Sequence, residues 1–321
     1  MIPSESNDAG VVFGPVPSRR LGRSLGLNNI PPKTCSYSCV YCQVGRTSRL
    51  RLRRESYYSV EQLFRSVERR IAHLKQQEEP LDYLTFVPDG EPTLDVNLGS
   101  HINHARSFGI PVAVISNGSL LWQPAVKQDL QAADWCSLKV DTVEETVWRR
   151  INRSHRALRL RSVLQGMRDF SREYQGELVT ETMLVEGIND ARQQLQQTAG
   201  FIAELQPSVA YIAVPTRPPA EPWVKPPPIE VLNTAFQIYT EILDQVEFLI
   251  TYEGDQFTTG GDVEHDVLDI TAVHPMRRSA IERLLRTADK EWTAIEKLLR
   301  QEKLVEVEYE GEQFYLRNLK S

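Results

Sequence analysis

The sequence predicts an α/β fold built on a parallel sheet, followed by a smaller helix, helix, hairpin module. Three observations carry this reading. Short apolar runs alternate with longer amphipathic ones through the middle of the chain, the pattern of successive βα units. A polar, glycine-containing stretch, DQFTTGGDVEHD, breaks that alternation and reads as a linker. Two amphipathic segments and two short runs around a Glu310-Gly311 turn then close the chain.

Taken in order, the strands are expected at Ser24–Ile30, Tyr83–Val87, Pro111–Ile115, Trp135–Val140, Leu178–Leu184 and Val209–Val214. The helices are expected at Val60–Gln76, Leu94–Phe108, Gln123–Leu130, Leu158–Tyr174, Asp190–Leu205 and Ile229–Leu243. Six such units make an open doubly wound sheet or a barrel, complete or partial, and in either case function sits where the strands end. The proline-rich Thr216–Pro228 is neither helix nor central strand and reads as an ordered loop or stiff spacer. After an apolar run at Phe248–Tyr252 and the linker, Pro275–Arg286 and Lys290–Gln301 form the two helices, and LVEVEY and EQFYLR the hairpin, of a winged-helix-like module.

Composition narrows the function classes. The 321 residues carry a net charge of −6, a 41% hydrophobic fraction and four cysteines. Disorder and coiled coil are excluded, and no apolar run approaches the ~18 residues of a membrane span. The start MIPSESNDAG lacks a signal-peptide pattern, so a cytoplasmic protein is expected. Of the 37 positive residues 28 are Arg, concentrated in Arg46, Arg49, Arg51, Arg53 and Arg54 and in Arg149, Arg150, Arg153, Arg156, Arg159 and Arg161. Both runs follow strand ends, where they would form anion-binding walls; a solvated face is the plainer alternative.

The decisive feature is KTCSYSCVYCQ, which sets Cys35, Cys39 and Cys42 directly after the first strand. Thiolates bind soft metals, and three at this spacing can surround one centre. A structural zinc site closes with four ligands, yet the remaining cysteine, Cys136, falls inside a strand. Three ligands leave one coordination position open, which on a four-iron cluster is an iron available to a small molecule. Zinc, or cysteines without a metal role, is the alternative.

These residues resemble the radical SAM superfamily, whose signature is CxxxCxΦC with an aromatic residue, here Tyr41, before the last cysteine. Gly90, Glu91 and Pro92 in VPDGEPTL look like the family's GGEP element, with Asp89 in place of its first glycine. Asn117 in ISNG, Lys139 and Asp141 in SLKVD, and Glu181 in TETML resemble its polar strand ends; Asn189 in EGIND is a weaker match. The resemblance implies a partial (β/α)6 TIM-type barrel over residues 24–255, with an N-terminal extension at 1–23 and the winged-helix-like module at 256–321. It also implies a [4Fe–4S] cluster on the three cysteines and S-adenosylmethionine (SAM) held by the GEP and strand-end residues. Reductive cleavage of the sulfonium then gives methionine and a 5′-deoxyadenosyl radical that abstracts a hydrogen atom from substrate. A reducing partner such as flavodoxin or ferredoxin is implied as well.

Longer matches, FGPVPSRRLGRSLGLN, INRSH, TETMLVEGIND and ITAVHPM, make the chain similar to a bacterial group of radical SAM iron–sulfur oxidoreductases distantly related to wyosine-type tRNA-modifying enzymes. Archaeal wyosine synthases bring a second cluster on additional cysteines, which Cys136 alone cannot build. An RNA substrate is favoured over a protein one, as for glycyl-radical activases. An iron–sulfur sensor that binds DNA is disfavoured, because Glu306, Glu308, Glu310 and Glu312 on the would-be wing repel phosphate.

Overall fold

The computed structural model describes residues 11–250, 257 and 262–318. Its strands and helices in chain order are β1 (Val12–Ser18), β2 (Gly22–Leu27), β3 (Thr34–Cys35), β4 (Arg49–Leu50), α1 (Val60–Gln76), β5 (Tyr83–Phe86), α2 (Leu98–Arg106), β6 (Val112–Ser116), α3 (Pro124–Leu130), β7 (Trp135–Lys139), α4 (Glu145–Ile151), α5 (Leu160–Glu173) and β8 (Glu177–Met183). They continue with α6 (Arg192–Leu205), β9 (Val209–Ala213), α7 (Ile229–Ile242), β10 (Val246–Leu249), α8 (Val263–Val273), β11 (Met276–Arg277), α9 (Arg278–Thr287), α10 (Thr293–Arg300), β12 (Leu304–Tyr309) and β13 (Glu312–Arg317).

One eight-stranded sheet runs in the order β1-β2-β5-β6-β7-β8-β9-β10. Every neighbouring pair from β2 to β10 is parallel, while β1 returns antiparallel along β2. Six parallel strands were expected and the described residues form seven, because β10 pairs with β9 in register from Val246↔Ala210 to Leu249↔Ala213. Val12–Ser18, within the segment expected as an N-terminal extension, form β1 of this sheet. Each parallel strand sends a residue into one common cavity: Ser24, Thr85, Ile115, Lys139, Glu181, Ala213 and Leu249. Their opposite faces build the main core with helices α1 to α7.

Local sequence explains the helices. Ser59 caps α1, accepting from Gln62 N while Gln62 Oε1 accepts in turn from Ser59 N, and Leu63, Phe64, Val67, Ile71 and Leu74 recur on one face and are buried. The expected helix from Leu94 begins instead as a short 3-10 turn, Pro92–Leu94, and α2 starts at Leu98. Helix α4 was not expected at all. Its apolar positions Val147, Trp148 and Ile151 cover under two turns among charged residues, too little for a periodic signal.

Most of the stretch read as a linker, and Tyr252 of the last apolar run, lie outside the described residues; its end already belongs to α8. The C-terminal elements run helix, strand, helix, helix, strand, strand, with a sheet ordered β11-β13-β12. This adds α8 and β11 to the expected helix, helix, hairpin order. They have their own core, including Ile270, Ile281, Leu284, Ile295, Leu298 and Tyr315. Helix α8 also meets the sheet, with Ala272 against Phe13 of β1 and Asp266 accepting from Arg70 of α1 at 2.6 Å.

Candidate metal centre and cavity

Cys35 ends β3, and Cys39 and Cys42 follow in a loop with almost no regular structure. Backbone bonds from several directions hold that loop in place. Arg51 N donates to Cys35 O at 2.8 Å, Ser38 N to Asn152 O at 3.0 Å, Val40 N to Ile151 O at 2.9 Å and His155 N to Ser36 O at 2.9 Å. The three thiols line a cavity of about 320 Å³ together with Tyr41, Gly90, Lys139 and Glu181. Burial pushes all three thiols up, Cys39 to about 12, with neighbouring acids and thiols adding to the effect on Cys35 and Cys39. Binding of a cationic metal centre is what would offset that burial and hold them as thiolates.

Donors also point at the sulfurs. Asn152 Nδ2 lies 3.4 Å from Cys39 Sγ, Asn117 Nδ2 3.6 Å from Cys35 Sγ, and Tyr37 N 3.4 Å from Cys35 Sγ. N–H groups aimed at thiolates are the outer shell by which a protein orients and tunes a metal centre. Among the described residues no three Cys, His, Asp or Glu side chains converge on the spacing of a single metal ion. Three cysteines facing one cavity, with no fourth cysteine beside them among the described residues, fit a polynuclear cluster with an open iron better than a closed zinc site.

The GEP turn lies against this loop. Glu91 N donates to Thr34 O at 3.1 Å, and a Cβ on Gly90 would fall 2.9 Å from the Thr34 carbonyl carbon, 2.7 Å from Ile30 Cδ1 and nearer still to the Thr34 oxygen. Glycine is therefore required by close approach of the chain to itself. Glu91 is buried and takes hydrogen bonds from Thr93 Oγ1 at 2.6 Å, Ser116 Oγ at 2.7 Å and Asn117 N at 2.8 Å. Pro92 opens the 3-10 turn behind it. Asn117 also accepts from Ser119 N at 2.9 Å and donates to Ser36 Oγ at 2.9 Å, so it is at once a turn residue and a brace for the cysteine loop.

The other predicted residues divide in two. Tyr41, Lys139 and Glu181 face the cavity, whereas Glu91, Pro92, Asn117 and Asp141 do not line it. Asp141 is buried and accepts from the Tyr41 hydroxyl, from Asn152 Nδ2 at 2.6 Å and from Met183 N at 2.9 Å. Asn189 brackets the same turn, donating to Asp141 O at 2.8 Å and Met183 O at 2.9 Å. Glu181 is bound by Lys139 Nζ and by Arg20 at 2.6 Å. Burial pushes its carboxyl up, but Lys139 and Arg20 outweigh that and hold it at about 2.

Sequence reasoning missed several members. Arg20 comes from the β1–β2 turn and passes Trp135 and Tyr211 at 5.9 and 5.8 Å to reach Glu181. Asn152 lies in INRSH, a motif that carries the family resemblance but assigns this residue no role. Asp89 lines the cavity, is 2% exposed, and neither carboxylate oxygen has a hydrogen-bond partner; Lys33 Nζ stands 3.8 Å away. Its carboxyl is pushed up to about 7 by burial, against the pull of Lys33. His274, from ITAVHPM, reaches the cavity from the end of α8 and meets Arg217 at 3.0 Å, which donates to Gln43 at 2.7 Å.

The arginine runs correct an expectation, for none of their side chains lines the cavity. Arg54 donates to Thr93 O, Asp95 O and Asp129, and Arg149 to Ser154 Oγ, His155 O and Leu158 O, so both latch loops. Arg46 and Arg153 converge on Glu221 of the proline-rich loop.

Residues 29–200, which carry the cysteine loop, the GEP turn, Lys139 and Glu181, match the model of the radical SAM superfamily. The chain belongs to the radical SAM superfamily. Over 97% of both chains it is 47% identical to a UPF0026 protein of Methanocaldococcus jannaschii. It is 33% identical to a UPF0026 protein of Helicobacter pylori over 65% of this chain and 67% of that one. A radical SAM methyltransferase from Sphaerobacter thermophilus shares the fold at a TM-score of 0.54 and 13% identity, covering 71% of this chain and 66% of the other. Enzymes of this superfamily use a [4Fe–4S] cluster and SAM, and these are this enzyme's cofactors. Among the described residues no helix is long and apolar enough to cross a membrane.

Proposed function

We propose that the enzyme uses a single [4Fe–4S] cluster on Cys35, Cys39 and Cys42 to cleave SAM reductively and to abstract a hydrogen atom from a substrate bearing an anionic group. One observation carries this reading: three cysteines, with no fourth cysteine beside them among the described residues, open into a cavity that also presents Gly90, Tyr41 and the Lys139–Glu181 pair. Held by Cys35, Cys39 and Cys42, such a cluster would supply the electron for reductive cleavage of SAM and so the means of hydrogen abstraction.

The chain's own groups bind, orient and exclude water. Lys139, held beside Tyr41 at 5.4 Å and charged through Glu181, is the cation for the cosubstrate carboxylate. Asn117 and Asn152 orient the cysteine loop, and Asp141 fixes Asn152 and Tyr41. Apolar Phe13, Val16, Val44 and Val87 shield one side of the cavity. The anionic substrate is supported by the cavity's cations Arg19, Arg20, Lys33, Lys139 and Arg217, which stand against Asp89, Glu181 and three cysteines whose thiolate charge an iron–sulfur core would largely offset. RNA remains the first macromolecular class to test and protein the second.

The test is anaerobic incubation of reconstituted enzyme and dithionite with cellular RNA and protein fractions, following 5′-deoxyadenosine by mass spectrometry. Nuclease-sensitive turnover supports RNA and protease-sensitive turnover a protein. No 5′-deoxyadenosine under any condition refutes the reading.

A further inference from the structure

We propose that the solvent side of the cysteine loop is the docking surface for an acidic one-electron carrier protein. This rests on the proposed cluster, which must receive its electron from outside. The loop's inner side faces the cavity, while its outer side is framed by the two arginine-rich stretches. Arg49 N donates to Lys33 O at 3.0 Å, Arg51 N to Cys35 O at 2.8 Å, and His155 N, beside Arg156, to Ser36 O at 2.9 Å.

The side chains of Arg46, Arg49, Arg51, Arg53 and Arg156 are exposed. Glu221 takes hydrogen bonds from both Arg46 and Arg153, joining two runs distant in sequence, and its single carboxylate leaves that pair net positive. Glu55 offsets Arg51 at 3.4 Å. Between Arg49 and Arg51, Leu50, the register partner of Cys35 in the β3–β4 pair, is 39% exposed. Trp223, two residues past Glu221, is 48% exposed.

An apolar spot with a basic rim, one strand from a cluster ligand, fits the small, charge-steered contacts of transient electron-transfer partners. RNA is the less suitable occupant. A substrate must deliver its reacting atom to the cavity, and none of these arginines lines it. In the docked complex the carrier loses one electron and the cluster gains it, with no bond or proton exchanged.

The experiment follows cluster reduction by flavodoxin hydroquinone in stopped flow, comparing wild type with Arg49→Glu/Arg53→Glu/Arg156→Glu. At low ionic strength the second-order rate should fall about tenfold or more in the variant, and the gap should close in high salt. The extent of reduction by excess dithionite, and SAM cleavage under it, should match wild type. Equal flavodoxin rates for the two proteins overturn the proposal. So does salt-sensitive binding of total tRNA that the variant loses while its flavodoxin rate is unchanged. Intact dithionite-driven SAM cleavage in either case leaves the reading of the centre standing; a wild type with no reducible cluster refutes both.

Discussion

Changing Gly90 to alanine tests how the GEP turn works. The added Cβ would fall 2.9 Å from the Thr34 carbonyl carbon and 2.7 Å from Ile30 Cδ1, where carbon needs about 3.3 Å or more even against oxygen. Thr34 must therefore retreat by roughly 1 Å, and it is covalently joined to Cys35. The retreat stretches the Glu91 N to Thr34 O bond, and a buried donor left unpaired costs about 1–3 kcal/mol. A displacement of about 1 Å in a positioned group commonly costs on the order of a hundredfold in rate. We expect Gly90→Ala to unfold at lower urea, to hold less iron and sulfide after reconstitution, and to form 5′-deoxyadenosine about 100-fold more slowly. The comparison is with wild type by denaturation, metal analysis and single-turnover kinetics. A variant with wild-type stability and full cluster, impaired only in SAM affinity, would refute the reasoning. It would mean that glycine serves the approach of the cosubstrate instead of the approach of the cysteine loop.

Three further outcomes follow from the same geometry. The Cys35→Ala/Cys39→Ala/Cys42→Ala variant should hold no cluster, whereas Cys136→Ala, in the core of β7, should hold a full one and lose about 1 kcal/mol of stability, as metal analysis and urea unfolding will tell. Arg20→Met should lower stability by about 1.5–3 kcal/mol through loss of its charged hydrogen bond to Glu181; a change below about 0.5 kcal/mol in urea would show that the guanidinium does not hold the carboxylate. Asp89 has a folded value near 7 against an ordinary 3.8, so between those values the folded chain holds more protons than the unfolded one and stability declines as pH rises. In cluster-free protein, Asp89→Asn should therefore melt like wild type near pH 4 and higher than it at pH 8; equal melting temperatures at both would exclude a carboxyl pushed up by burial against the pull of Lys33.

The parts of the molecule legible in the sequence are those written in short-range pattern. The strands β5 to β9 fall within a residue or two of their expected limits, because buried strands leave apolar runs bounded by turn residues. The cysteine loop is legible because its spacing is local. Relations closed across the fold were not: Tyr41 meets Asp141, Arg20 meets Glu181, and Glu221 collects Arg46 and Arg153. Each is a polar residue whose partner is set by how strands are ordered, which composition does not encode. The arginine runs show the limit most plainly. Their density was visible, but a chain of one-letter codes does not say which way a side chain points, and none of these lines the cavity.

The sheet leaves β1 and β10 unpaired with each other, and the cavity at that seam is bounded by Phe13 and Val16 on one edge, Leu249 on the other, and His274 from beyond α8. Residues near one end of the chain and residues near the other thus share a single wall. During synthesis the βα units can pack in turn as they emerge, yet the seam stays open until the stretch that carries His274 has left the ribosome.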